Sequence, residues 1–256
     1  MIRKFLQLIF ILAITTTSSA ETETRYRFEI IIFEYNNPSY SQTELWSDDP
    51  GTPDYAQTFY TIYNSATKSS PSAINSRQFP GVEFQPLDRS SLILAKEARA
   101  VRKASERRQL LHTAWVQTMH DEKKAVPIAI KTGKLYNTLE KEPVSKSVRF
   151  TEQGEVANTD SFRGALPLTE TSATMIPVKQ HQLEGTIKIT IGRYLHVWTD
   201  LVYRQPVATG NYSAETNSYD NVRSYRYQDH RRMRSKELHY IDNPNFGILI
   251  YALPVE

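Results

Sequence analysis

LEGTIKITIGRYLHVWTDLVYR, residues 183–204, is the stretch whose reading decides the fold. Apolar or small residues recur on alternate positions: Leu183, Gly185, Ile187, Ile189, Ile191, then Leu195, Val197, Leu201 and Tyr203. A period of two marks a strand with one buried face, and β-branched residues dominate its first half. As one straight strand the stretch would run to roughly 70 Å, far beyond ordinary strand length. The spacing therefore predicts a bend or bulge at Gly192, with a second strand continuing from Arg193. The opposite face carries Tyr194, His196, Trp198 and Asp200, which line up rings, an imidazole and a carboxylate as a recognition surface.

Outward from that stretch the same period returns. Toward the C-terminus, residues 205–221 are a polar turn region and residues 225–240 alternate as one strand. FGILIYAL (residues 246–253) then closes the chain as a buried strand after the turn Asp242-Asn243-Pro244-Asn245. Near the N-terminus, RYRFEIIIFEY (residues 25–35) has Tyr26, Phe28, Ile30 and Ile32 on one face and Ile31 and Phe33 on the other. That places it centrally, with both faces covered.

Residues 36–86 are rich in turn-forming clusters yet aromatic, with Trp46, Tyr55, Phe59, Tyr60 and Tyr63, and read as an irregular flap over the sheet. Asp88 reads as the N-cap of a helix over residues 89–107. A strand follows from Gln109, then a short strand over residues 127–130 and a turn at Lys131-Thr132-Gly133-Lys134. Residues 151–177 read as loop. The fold class is α+β: a mainly antiparallel β-sheet with one long helix packed on a face and long irregular insertions near residues 36–86 and 131–180.

The first twenty residues read as an export leader. Arg3 and Lys4 precede an apolar run over residues 5–14, and Ser18-Ser19-Ala20 supplies a cleavage site after Ala20. No cysteine follows the apolar run, which argues against a lipoprotein, and the run is short for a membrane span. The expectation is a periplasmic chain without stable membrane insertion, a single α+β domain over residues 21–256. Loss of Arg3 and Lys4 lowers the formal charge from +3 to +1, so net charge says nothing about partners. With no cysteine there is no disulfide framework, and the core must hold the fold.

No motif of a hydrolase nucleophile, zinc protease, phosphate loop or dinucleotide fold is present, and the chain reads as non-enzymatic. The six histidines show no helical metal spacing, although His196 and His239 are placed to meet across paired strands. Neither metal nor cofactor is expected. The strongest anomaly is residues 223–236, where Arg223, Arg226, Arg231, Arg232, Arg234 and Lys236 face the single acid Asp229, with Tyr225 and Tyr227 interleaved. Arginine suits planar recognition of carboxylate or phosphate, and rings beside it offer flat platforms for sugars. A solvated edge strand whose charges deter aggregation accounts for the same pattern at even weight. Glu237 reads as an orienting partner for a neighbouring arginine. A strand tryptophan is more often core than platform, which applies to Trp115 and Trp198 alike. Export argues against nucleic acid as ligand. The candidate binding set is Arg193, Tyr194, His196, Trp198, Arg231, Arg232, Arg234, Glu237, His239 and Tyr240. Pairing of residues 231–240 with residues 193–204 would put Arg232, Arg234 and Tyr240 on one face with Tyr194, His196 and Trp198.

GRYLHVWTDLVYRQP (residues 192–206) and RRMRSKELHYIDNPNFGILI (residues 231–250) resemble the CsiV-type peptidoglycan-binding proteins of Gram-negative bacteria. RYRFEIIIFE (residues 25–34) and LLHTAWVQ (residues 110–117) resemble that family's other blocks, in the right order. The resemblance implies a periplasmic, non-catalytic protein that binds murein and supports cell-wall synthesis. It also implies a partner, a penicillin-binding protein or its lipoprotein activator. The alternative is a protein–protein adaptor that uses the same surface on an acidic partner and binds no murein directly.

Overall fold

The computed structural model describes residues 24–36, 50–63, 83–141, 175–207 and 221–255. The leader over residues 1–20 lies outside the described residues, as do Trp46 and residues 142–174 of the second insertion.

The two-sided pattern of RYRFEIIIFEY becomes the central strand β1 (Arg25–Tyr35). It pairs antiparallel with β4 (Arg107–Thr118) on one side and β10 (Phe246–Val255) on the other. The short strands β3 (Phe84–Leu87) and β9 (Leu238–Asp242) complete a five-stranded sheet in the order β3-β4-β1-β10-β9. Phe28, Ile30 and Ile32 enter the main core, while Ile31 and Phe33 pack beneath helix α1 (Ala95–Lys103) with Leu94, Ala98 and Val101.

The second sheet has the order β2-β5-β6-β7-β8, with β2 at Tyr60–Tyr63, β5 at Ile128–Lys141, β6 at Met175–Ile191, β7 at Leu195–Pro206 and β8 at Val222–Met233. Only the β2–β5 pair is parallel among the described pairings. The two sheets share one apolar core, with Ile187, Ile189, Val197 and Leu201 opposite Phe28, Trp115, Ile248 and Ile250. At one end the sheets are clipped by polar groups: Glu34 on β1 accepts hydrogen bonds from Arg108, Gln182 and the Tyr203 hydroxyl.

Several expectations need correction. There are two facing sheets rather than one, because the inward faces of both sets of strands are apolar and each covers the other. Gly192 does not kink a continuing strand. Ile191 pairs with Leu195, so Gly192-Arg193-Tyr194 is the turn of a tight antiparallel hairpin, and the two halves lie side by side. The long helix is a helix of nine residues, preceded by a 3-10 turn at Arg89–Ser91. The cause is Glu29 of β1, whose carboxylate accepts the N–H groups of Ile93 and Leu94 at 2.9 and 2.8 Å and fixes where the helix starts.

The turn at residues 131–134 is a bulge inside β5, opposite Gln182, and residues 131–141 and 175–180 of the second insertion are strand. Of the first insertion, residues 60–63 and 84–87 are strand. Residues 50–58 lie against the outer face of the second sheet, with the Pro50 carbonyl accepting from Arg226 at 3.1 Å.

The alternation of residues 225–240 also divides. β8 ends at Met233, the chain reverses with Lys236 at a φ of 65°, and β9 joins the other sheet. The Lys236 N–H bonds the Ala252 carbonyl at 2.8 Å, which fixes that switch.

Face assignment on β6 gives the first prediction. Ile189 is 2% exposed, and Ile189→Ala should cost about 2–5 kcal/mol. Lys188 on the outer face should accept alanine within roughly half a kcal/mol. Urea midpoints of the two variants check this, and equal shifts would refute the assignment.

Candidate functional site

Because β7 alternates, Leu195, Val197 and Leu201 enter the core and His196, Trp198 and Asp200 point outward. The antiparallel register sets Arg232 opposite His196 and His230 opposite Trp198 on β8, with Thr190 and Lys188 opposite the same two residues on β6. The result is an outward ladder of rings and cations. Trp198 and His230 lie face to face, with ring centroids 3.6 Å apart and planes within 6°. His230 Nε2 is 2.9 Å from His196 Nδ1, so one imidazole donates and the other accepts. The Lys188 ammonium sits 5.6 Å from the Trp198 ring centre. At the hairpin turn, Arg232 and Arg193 hold their guanidinium carbons 4.6 and 5.7 Å from the centre of the Tyr194 ring.

The Trp198–His230 stack floors a groove of about 1010 Å³. Its walls are the connection over residues 122–127 and residues Asp54 and Gln57. Asp121 shapes the first wall, since its carboxylate accepts the N–H groups of Lys123 and Lys124 at 3.0 Å each. That turn brings Lys123 and Lys124 to the rim. Beyond the stack the charges compensate one another: Arg226 grips Asp200 through two hydrogen bonds of 2.8 Å, and Arg204 pairs with Glu184 at 3.0 Å. A flat half-buried indole, a bare ammonium and a roomy polar groove can hold a sugar ring with an attached anionic group.

The family model described as "Peptidoglycan-binding protein, CsiV" matches residues 4–255. The chain belongs to the CsiV family. The resemblance carried by the hairpin and the arginine-rich blocks is thereby borne out, and the family is one described as peptidoglycan-binding. No curated protein and no solved structure matches the chain.

In this CsiV-family chain the ten sequence candidates do not form one surface. Arg193, Tyr194, His196, Trp198 and Arg232 come together on the outer face of the second sheet. Arg231 has the opposite parity and reaches the other way, donating to the Tyr240 carbonyl at 2.6 Å. Arg234 and Glu237 lie in the sheet-switching turn as an exposed ion pair at 3.6 Å, the partnership expected of Glu237. The His239 Nε2 lies 3.1 Å from the backbone N–H and carbonyl of Arg234, so it meets that turn rather than His196. Tyr240 belongs to the first sheet, where its ring stacks on Phe33 at 6.3 Å. Its hydroxyl bonds Tyr35 and, at 2.5 Å, Asp242; burial together with those contacts pushes it well above the ordinary tyrosine range. The expected common face for Arg234 and Tyr240 fails because the chain changes sheets between them and Arg232.

Sequence reasoning missed His230, Lys188 and the lysine rim. His230 sits in the basic run that was singled out, and antiparallel pairing of two alternating strands carries the signal for it. Nothing in sequence points to the rim, which depends on the fold of the connection over residues 122–127. Among the described residues no group of three or more histidine, aspartate or glutamate side chains is placed to hold a metal ion. No described helix is long and apolar enough to cross a membrane.

Proposed function

We propose that this chain is a non-catalytic peptidoglycan-binding protein that holds murein on the outer face of its second sheet. The observation that carries the reading is the parallel Trp198–His230 stack, a half-buried indole and an exposed imidazole lining an open groove and flanked by Lys188. Rings already fixed by stacking lose little side-chain freedom on binding, and aromatic side chains suit the apolar C–H faces of sugars. Membership of a family described as peptidoglycan-binding supports the same ligand. On this reading the leader is cleaved after Ala20 and the chain works in the periplasm. There it supports cell-wall synthesis beside a penicillin-binding protein or its lipoprotein activator.

Co-sedimentation with purified sacculi tests the proposal. Trp198→Ala should lower the affinity by about tenfold or more, the scale of losing an aromatic anchor. Its far-UV circular dichroism should match the parent, since the ring lies on an outer face. A folded Trp198→Ala variant that sediments like the parent would move the site elsewhere. A parent that ignores sacculi would leave the adaptor reading in place.

A further inference from the structure

The stack is only half of the outer ladder. Two strand positions along β8 from His230, about 7 Å away, Arg232 and Arg193 crowd the ring of Tyr194. Among the described residues neither guanidinium has a carboxylate within ion-pair distance. Two other arginines of these strands have carboxylate partners, Arg226 in Asp200 and Arg234 in Glu237. Beside Tyr194 a recess of about 460 Å³ is lined by Arg193, Tyr194, Ser235 and the Arg234–Glu237 ion pair, and Arg232 reaches the same ring from outside it. Two like charges gathered at one ring, the neighbouring Glu237 being paired with Arg234 rather than with either of them, make a site that favours an anion. Their planar forks match a carboxylate in particular.

We infer that Arg193 and Arg232 form a subsite for the carboxylates of the murein stem peptide, so that the surface distinguishes peptide-bearing glycan from bare glycan. This rests on the peptidoglycan reading above and adds the moiety that is read. The surface has two unlike halves, a flat ring stack and a pair of uncompensated guanidinium groups. The ligand has two unlike halves as well, a sugar chain and an acidic peptide attached to it. With a sugar on Trp198, the peptide branch reaches toward Tyr194, where the arginines receive it.

The test compares intact soluble glycan chains with the same chains stripped of stem peptides by an amidase, the lactyl carboxylate left at each cut being capped as a methylamide so that the stripped chains carry no carboxylate. Affinities are measured by titration calorimetry on the mature protein. The parent should bind intact chains about tenfold tighter than stripped ones, the scale of one charge-assisted contact. That preference should shrink as salt rises. Arg193→Ala combined with Arg232→Ala should lower the affinity for intact chains to the stripped level and leave stripped chains unaffected. Arg193→Gln with Arg232→Gln serves the same purpose should the alanine pair fail to fold. A double variant that keeps the preference, or a parent that binds both chains equally, overturns the subsite while the peptidoglycan reading stands. A parent that binds neither overturns both. Inorganic phosphate that erases the preference at constant ionic strength would show a general anion site, and would overturn the assignment to carboxylate.

Discussion

Gly185→Ala is expected to destabilise the protein by more than about 4 kcal/mol, the range reserved for changes with a specific steric cause. A Cβ at position 185 would stand 2.1 Å from the Asp200 carbonyl oxygen and 2.7 Å from the Leu201 Cα. Both are backbone atoms of the paired strand β7, so no side-chain rotation relieves the clash. The backbone there has a φ of +151°, which L side chains rarely adopt. Gly185 pairs directly with Leu201, a fully buried core residue, so pushing the strands apart opens the centre of the second sheet. It also shifts Asp200, the partner of Arg226, and with it the floor of the groove. Gly192→Ala is the control, because nothing lies within 4 Å of a Cβ built there. That variant should stay within roughly half a kcal/mol. Urea unfolding of the two variants decides the matter, and equal midpoints would refute the close approach at Gly185.

The contrast between these glycines shows what sequence can and cannot carry. In LEGTIKITIGRYLHVWTDLVYR the alternation identified both strands and the core residues Leu183, Ile187, Ile189, Leu195, Val197 and Leu201, since burial of one face imposes the period directly. It gave Gly185 only as a small residue in the stripe, because the pressure on it comes from a strand that follows in sequence and pairs in space. Gly192 attracted attention as the break in the pattern. Its backbone lies in an open turn, and reading it as a kink rather than a reversal hid the hairpin. The helix start was hidden for a related reason. The composition of residues 89–107 suits a helix throughout, whereas the start is set by Glu29, more than sixty residues away in the chain.

The site was legible to the extent that it follows from local alternation. Tyr194, His196 and Trp198 were read onto one face, and the pairing of β7 with β8 brings Arg232 to them. Arg231, one residue away, has the opposite parity and bonds the backbone of the other sheet. Arg234 and Tyr240 continue the same alternation in sequence, yet the turn at Lys236 carries the chain across to the first sheet. A period of two predicts which face a residue takes within a strand. It is silent on where one strand stops and another begins with the same rhythm.

Glu29 supplies the second large effect, and it carries a pH signature. The side chain is 1% exposed on the outer face of the first sheet. It accepts hydrogen bonds from His112 at 2.8 Å, from the backbone of Ile93 and Leu94, and from Arg27 at 3.1 Å. Burial by itself would raise its pKa, but these hydrogen bonds outweigh it and hold the carboxyl below the usual glutamate range. A depressed folded value means that the ionised group stabilises the protein at pH values above its unfolded pKa, roughly 4.3. The contribution is lost as pH falls through the folded value. Glu29→Gln keeps the shape but turns an amide donor toward donors already in place, leaving buried N–H groups unmatched. The expected cost at pH 7 is about 3 kcal/mol. Below about pH 4 the difference between parent and variant should narrow, because the parent then carries a protonated carboxyl in the same position. Thermal unfolding followed from pH 7 to pH 3 in both proteins measures that difference. A gap that stays constant across the range would mean that Glu29 holds α1 to the sheet through packing alone, and not through its charge.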